Sequence, residues 1–141
     1  MTVGKMELVK PANIADARAA IRHVFIRDLE LSCLIGVYQH EKEAAQRVRI
    51  NLDLAVREGE PGGELHDDLA NVVCYEQLSN GVRDLVGRGH TNLVETLAEE
   101  IANMCLTDGR VRSARIRVEK LDVFEDTASV GVEIERFNPE I

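Results

Sequence analysis

The sequence predicts an α+β domain in which two helices cover one face of a four-stranded antiparallel sheet, and three observations carry that expectation. Val48, Ile50, Leu52, Leu54 and Val56 alternate with Arg47, Arg49, Asn51 and Asp53, the period of a strand with one covered face. Two helical patterns follow in succession: Tyr75, Leu78, Val82, Leu85 and Val86, then Leu93, Leu97 and Ile101 with Met104 or Cys105. Alternation then returns in Ile116 and Val118, and again in Val130, Val132 and Ile134. The order is strand, strand, helix, helix, strand, strand, and the apolar stripes of the helices need the apolar face of the sheet.

Taken from the start, residues 1–21 read as an N-terminal extension to a single domain spanning 22–141. The extension contains Pro11 and an Ala-rich run, Ala15 to Ile21, of good helix formers, and no chemistry is assigned to it. The first strand carries Val24 and Ile26, then Leu29 and Leu31, an alternation that slips by one residue near Asp28 and so predicts a bulge. Gly36 to Gln46 is a polar connection too long for a tight hairpin, the kind of loop that often carries function. Glu58 to Asp68, with Pro61 and three glycines, is a second loop.

The first helix ends at Gly87 or Gly89, and the second has a well-marked start. Asn92 is the natural N-cap, and Glu95 three residues on suits a capping box. The alternative is that this first-turn carboxylate, with free N–H groups beside it, faces a ligand that presents adjacent N–H donors. Glu99, Glu100 and Asn103 stay on the wet side of the helix, while Ala98 and Ala102 flank its packed face. On the uncovered face of the sheet, Arg47, Arg49, Arg115 and Arg117 stand among Asp53, Glu119, Glu133 and Glu135. Such a mixed-sign surface can pair across strands, facing either bulk solvent or a wet interior enclosed by several subunits.

Composition narrows the function classes. The chain has 141 residues, 45% of them hydrophobic, and a net charge of -8, which suits one globular domain and argues against a nucleic-acid partner. No apolar run approaches the roughly 20 residues that cross a bilayer, and no secretory signal opens the chain, so a cytoplasmic location is expected. Cys33, Cys74 and Cys105 lie far apart among apolar neighbours and read as reduced core thiols; with no C-x-x-C and no His ligand spacing, no metal site is expected.

Four segments, taken together in order and spacing, are similar to one family. They are Ile35-Gly36-Val37-Tyr38 with Glu41 and Gln46; Asp67-Asp68 followed by Tyr75; Asn92-Leu93-Val94-Glu95 with Leu97-Ala98-Glu99; and Val118-Glu119-Lys120 with Val130-Gly131-Val132-Glu133-Ile134-Glu135-Arg136. Over roughly residues 22–138 the chain resembles dihydroneopterin aldolase of folate biosynthesis. The resemblance implies a tunnelling fold, in which four subunits close their sheets into a barrel and two rings stack into an octamer, with the mixed-charge face lining the tunnel.

The resemblance also implies a pterin substrate bound between subunits. Glu95 would hold the pterin, helped by the Val94 backbone, since a carboxylate offers two acceptors to the side-by-side ring N–H and amino group. Tyr75 would come from the neighbouring subunit, pack on the pterin and help deliver a proton. Lys120 would be the central acid/base group, and Glu41 would sit by the hydroxylated side chain. Neither cofactor, Schiff base nor metal is implied. The competing activities are epimerisation of dihydroneopterin or its triphosphate at C2', and a catalytically silent pterin-binding ring.

Two features stand apart from that pattern. Glu119 and Asp122 flank Lys120 and would favour its ammonium, although strand alternation should send Glu119 to the opposite face. Many family members follow the lysine with proline, whereas this chain has Leu121-Asp122-Val123-Phe124-Glu125-Asp126, which puts the shape of that loop in question.

Overall fold

The structure is a computed structural model that describes residues 15–59 and 65–139. The elements run β1 (Ile21–Cys33), α1 (Gln39–Glu43), β2 (Gln46–Arg57), a 3-10 turn (Leu69–Asn71), α2 (Tyr75–Gly87), α3 (Val94–Cys105), β3 (Val111–Lys120) and β4 (Val130–Phe137). The strands form one antiparallel sheet in the order β1-β2-β3-β4, so that β1 and β4 are its edges. Helices α2 and α3 lie on one face, α2 against β1 and α3 against β3 and β4.

The period-two residues of β2 fill the interior: Val48, Ile50, Leu52 and Leu54 are fully buried, with Ile116, Val118, Leu97 and Ile101 packed around them. Each such side chain contributes about 1.5–3 kcal/mol by leaving water, which is why the alternation in the sequence is so strict. The slip in β1 is a bulge: pairing with β2 shifts between Ile26 and Leu29, and Asp28 takes a φ of 55°. Buried Asn51 fixes it from β2, its side-chain oxygen accepting the Asp28 amide at 2.8 Å.

Three local expectations change. The extension lies mostly outside the described residues, but residues 17–20 form a turn and not a helix, and Ile21 already belongs to β1. Asp16 and Ile21 bond reciprocally across that turn, and the Ala20 carbonyl takes the Glu58 amide at 2.8 Å. Helix propensity in so short a run is worth only tenths of a kcal/mol per residue, too little to oppose sheet pairing. The Gly36 to Gln46 connection contains α1. Helix α3 begins at Val94 with Leu93 as N-cap and no side-chain cap, because Asn92 is drawn out of the cap position while the adjacent Thr91 forms a parallel bridge with Ile35.

The uncovered sheet face is laced with ion pairs. Arg115 meets Glu135 at 3.3 Å, Arg117 meets Glu119 at 3.4 Å and Glu133 at 3.5 Å, and Asp53 receives Arg27 at 2.6 Å and His23 at 2.7 Å. Burial alone would raise the Asp53 carboxyl, but the hydrogen bonds from Arg27 and His23 hold it below its usual range.

At Gly131 of β4, an added Cβ would lie 2.0 Å from the Val118 carbonyl oxygen and 2.8 Å from the Glu119 Cα of β3. Backbone cannot yield as a side-chain tip does. Gly131→Ala is therefore expected to cost about 1–3 kcal/mol in urea unfolding, the scale of overpacking. Gly109→Ala, which meets nothing within 4 Å, should stay within about 0.5 kcal/mol of the parent.

Candidate active site

The site grows from the end of β3. Strand alternation sends Glu119 to the polar face, where it accepts Ser129 Oγ at 2.7 Å, and leaves Lys120 on the same side as core residues Ile116 and Val118. Lys120 Nζ donates to Glu41 Oε2 at 2.6 Å, with the lysine side chain only 15% exposed and the carboxylate side chain 7%. Asp122, the other flanking acid, turns away to Arg47, accepting its side-chain Nη2 at 2.7 Å and its backbone amide at 3.1 Å. That clamp, with the Leu121 amide on the Arg47 carbonyl at 3.1 Å, anchors the start of the loop that lacks proline.

Glu41 is held from several sides. It sits at the third position of α1, and its Oε1 accepts the Tyr38 amide at 3.3 Å, the backward reach that the sequence suggested for Glu95. Gln46 Nε2 donates to Glu41 Oε2 at 3.1 Å and to the Ile35 carbonyl at 2.7 Å. Burial on its own would raise the Glu41 carboxyl, but hydrogen bonds from Lys120, Gln46 and the Tyr38 amide, with the Lys120 charge, bring it down to about 2.

Gly36 makes room for this carboxylate. With φ at +132°, it presents a face on which a Cβ would meet Glu41 Cδ at 2.1 Å. Its N–H donates to the Thr91 carbonyl at 2.9 Å, and its carbonyl accepts His90 Nε2 at 2.7 Å. The Glu41 loop is thereby joined to the segment that leads into α3.

At that helix start, Glu95 is exposed in the first turn and no side chain caps the helix. The amides of Val94 and Glu95 precede the first intrahelical donor, the Thr96 amide on the Leu93 carbonyl, and so lack an intrahelical acceptor. The capping role for Asn92 and Glu95 is thus replaced by a free carboxylate beside free N–H groups. Tyr75 opens α2 and is 70% exposed; no hydrogen bond ties its phenol to Glu41, Lys120 or Glu95. Of the sequence-predicted site residues, Glu41 and Lys120 touch, Val94 and Glu95 are joined to them through Gly36, and Tyr75 stands apart.

Sequence reasoning missed His90 and gave Gln46 no role. Their partners, Gly36 and the Ile35 carbonyl, are 54 and 11 residues away, and only Gln46, as part of a family segment, carried any signal. Cys33 and Cys105 are buried and Cys74 partly so; all three are free thiols. Burial pushes Cys105 up to about 12 and raises Cys33 as well, against the pull of the nearby Lys120 charge.

A family model described as dihydroneopterin aldolase matches residues 24–135, which hold every residue named in this site. The chain belongs to the dihydroneopterin aldolase family. The dihydroneopterin aldolase of Escherichia coli (strain K12) is 31% identical over 115 residues, covering 82% of this chain and 93% of that one. That of Streptomyces coelicolor is 33% identical over 99 residues, covering 70% and 82%. Among solved structures, the dihydroneopterin aldolase of Burkholderia thailendensis bound to guanine matches with a TM-score of 0.72 at 36% identity, over 86% of this chain and 94% of that one. The Escherichia coli dihydroneopterin aldolase in complex with neopterin matches with a TM-score of 0.74 at 30% identity, over 82% and 98%. The fold and the aldehyde-lyase class are those of this family. Among the described residues, no helix is long and apolar enough to cross a membrane.

The Glu41 pair makes stability depend on acid. A carboxyl whose folded value lies below its unfolded 4.5 contributes fully above pH 4.5, and the contribution is lost as pH falls through about 2. At about pH 7, Glu41→Gln is expected to cost about 2 kcal/mol, the scale of a charge-assisted hydrogen bond. Denaturant unfolding of both proteins should show their difference shrinking between pH 4.5 and about 2; a constant difference would rule out the pair as its source.

Proposed function

We propose that this chain cleaves 7,8-dihydroneopterin by a retro-aldol reaction, giving 6-hydroxymethyl-7,8-dihydropterin and glycolaldehyde in folate biosynthesis. The observation that carries the proposal is the Lys120–Glu41 pair at 2.6 Å, joined through Gly36 to the uncapped start of α3. It sets a proton-handling pair beside a carboxylate and free amides suited to a pterin edge.

Glu95 accepts the ring N–H and 2-amino group together, and the Val94 backbone adds a further contact. The hydroxylated side chain then points toward Lys120 and Glu41. Lys120 first passes a proton along its hydrogen bond to Glu41 and, now neutral, takes the 2'-hydroxyl proton directly or through a water, so that the two residues act as one relay. As that proton leaves, the C1'–C2' bond breaks. Its electron pair moves into the ring C=N, and C2' becomes the aldehyde carbon of glycolaldehyde. The enamine left on the pterin takes a proton at C1', with Tyr75 aiding delivery, so one proton enters the protein and one returns. The ring C=N is itself the electron sink, so the chemistry calls for neither a Schiff base nor a metal.

Tyr75 and Leu93, 70% and 48% exposed, support a site completed by a neighbouring copy. A ring of four, with edges β1 and β4 of adjacent copies paired and two rings stacked, would place the ion-paired sheet face inside the tunnel. The free thiols suit a reducing cytoplasm, where we place the enzyme.

The deciding assay is glycolaldehyde release from 7,8-dihydroneopterin by the purified chain, with Lys120→Ala and Glu95→Gln beside it. Release by the parent, a fall of at least about a hundredfold for Lys120→Ala, the lower end of general acid–base contributions, and weakened pterin binding for Glu95→Gln are expected. Turnover of the triphosphate without glycolaldehyde would replace the aldolase by the epimerase. Tight pterin binding without any turnover would leave a binding-only ring.

A further inference from the structure

The two halves of the site come from distant segments, and their spacing must be fixed by something other than the substrate. Residues 34–36 and 90–91 form a short clasp: Thr91 N–H donates to the Leu34 carbonyl at 3.0 Å, Gly36 N–H to the Thr91 carbonyl at 2.9 Å, and His90 Nε2 to the Gly36 carbonyl at 2.7 Å. Of the three, only the His90 bond uses a side chain, so it is the one the sequence can tune. A carbonyl only accepts, so Nε2 carries the hydrogen and the ring is held in that form or as the imidazolium.

Gly36 is also the backing of the catalytic carboxylate. Its α-carbon lies so close to Glu41 that a Cβ would sit 2.1–2.4 Å from the carboxyl atoms, and any rotation of the Gly36 peptide is felt there. His90 grips that peptide by its oxygen, and four and five residues on are Val94 and Glu95. We infer that His90 is a positioning residue, which sets the distance between the pterin-holding start of α3 and the Lys120–Glu41 pair by clamping the Gly36 carbonyl.

The inference rests on the functional reading above, and its consequence is specific. Loss of the clamp leaves Glu95 and the Val94 amide free to bind the pterin ring, while the reacting side chain meets a less well-aligned proton relay. Misplacement of about 1 Å can cost up to about a hundredfold in rate. With the two backbone bonds of the clasp retained, the expected loss is about tenfold in kcat, with KM changed less than about twofold.

The test uses the full chain as parent, His90→Leu, which keeps bulk without a donor, and His90→Gln, whose amide can reach the same carbonyl. Glycolaldehyde release gives kcat and KM, binding of 6-hydroxymethylpterin gives pterin affinity, and carboxyl NMR gives the Glu41 midpoint, which the parent holds at about 2. Expected are a lowered kcat with unchanged pterin affinity and a raised Glu41 midpoint in His90→Leu, and recovery of both in His90→Gln. Parent kcat in His90→Leu, pterin affinity falling with kcat, or His90→Gln behaving as His90→Leu would overturn the assignment. The carboxyl readout needs no turnover. A parent that releases no glycolaldehyde yet shows the midpoint shift refutes the aldolase reading alone, whereas an active parent with an unmoved midpoint refutes the role of His90. Should His90→Leu fail to fold, His90→Gln with full activity and parent midpoint supports the donor role, and its loss of either overturns it.

Discussion

The hydrogen bond between Lys120 and Glu41 joins residues 79 apart, and much of the local structure is arranged to let a carboxylate survive out of water. A buried charge costs several kcal/mol unless it is paired and its remaining lone pairs are used. Here Gln46 and the Tyr38 amide supply the rest, helix α1 exists in a stretch otherwise suited to a loop, and Gly36 gives up a side chain so that the carboxyl fits. A buried ion pair is seldom the most stable solution for its volume, since apolar residues of similar shape commonly do as well. What the pair offers instead is a proton donor and acceptor held together at the end of β3, the arrangement on which the proposed relay rests.

The start of α3 shows the complementary choice. A helix of this kind is ordinarily finished by a side-chain cap worth about 1 kcal/mol. This one has none, although Asn92 stands one residue before the cap position. The chain forgoes that stabilisation because the Thr91 bridge to Ile35 takes the backbone elsewhere, and the helix is kept in place by its buried face of Leu97, Ala98, Ile101, Ala102 and Cys105. Arg136 of β4 adds an ion pair to Glu99 on its outer side. Packing therefore leaves the first-turn amides and the Glu95 carboxylate available to a ligand.

The polar face of the sheet follows a different logic. Its arginines and carboxylates neutralise one another across strands, and each exposed pair is worth only about 0–1 kcal/mol. Their effect is to keep a broad surface wet and low in net field, in contrast to the single concentrated pair at the end of β3. Asn51 and Asp28 use the same face to hold the β1 bulge.

Sequence periodicity determined the architecture of this protein. The alternation of Val48 to Val56, the slip at Asp28 and the stripes from Tyr75 to Val86 and from Leu93 to Cys105 are direct consequences of burial, and each reappears as an element of the fold. The resemblance of four spaced segments to the dihydroneopterin aldolase family brought Glu41, Tyr75, Glu95 and Lys120 to notice. Only the tertiary structure decided what they touch. The capping-type return bond fell to Glu41 and not to Glu95, the Ala-rich run of residues 17–20 became a turn, and Asp122 left Lys120 for Arg47. The last of these depends on a partner 75 residues away, and the first two on competition between a weak local preference and its packed surroundings. Propensity and periodicity report what a segment prefers by itself; a hydrogen bond across the fold, such as His90 to Gly36, is set only when the core has fixed both ends.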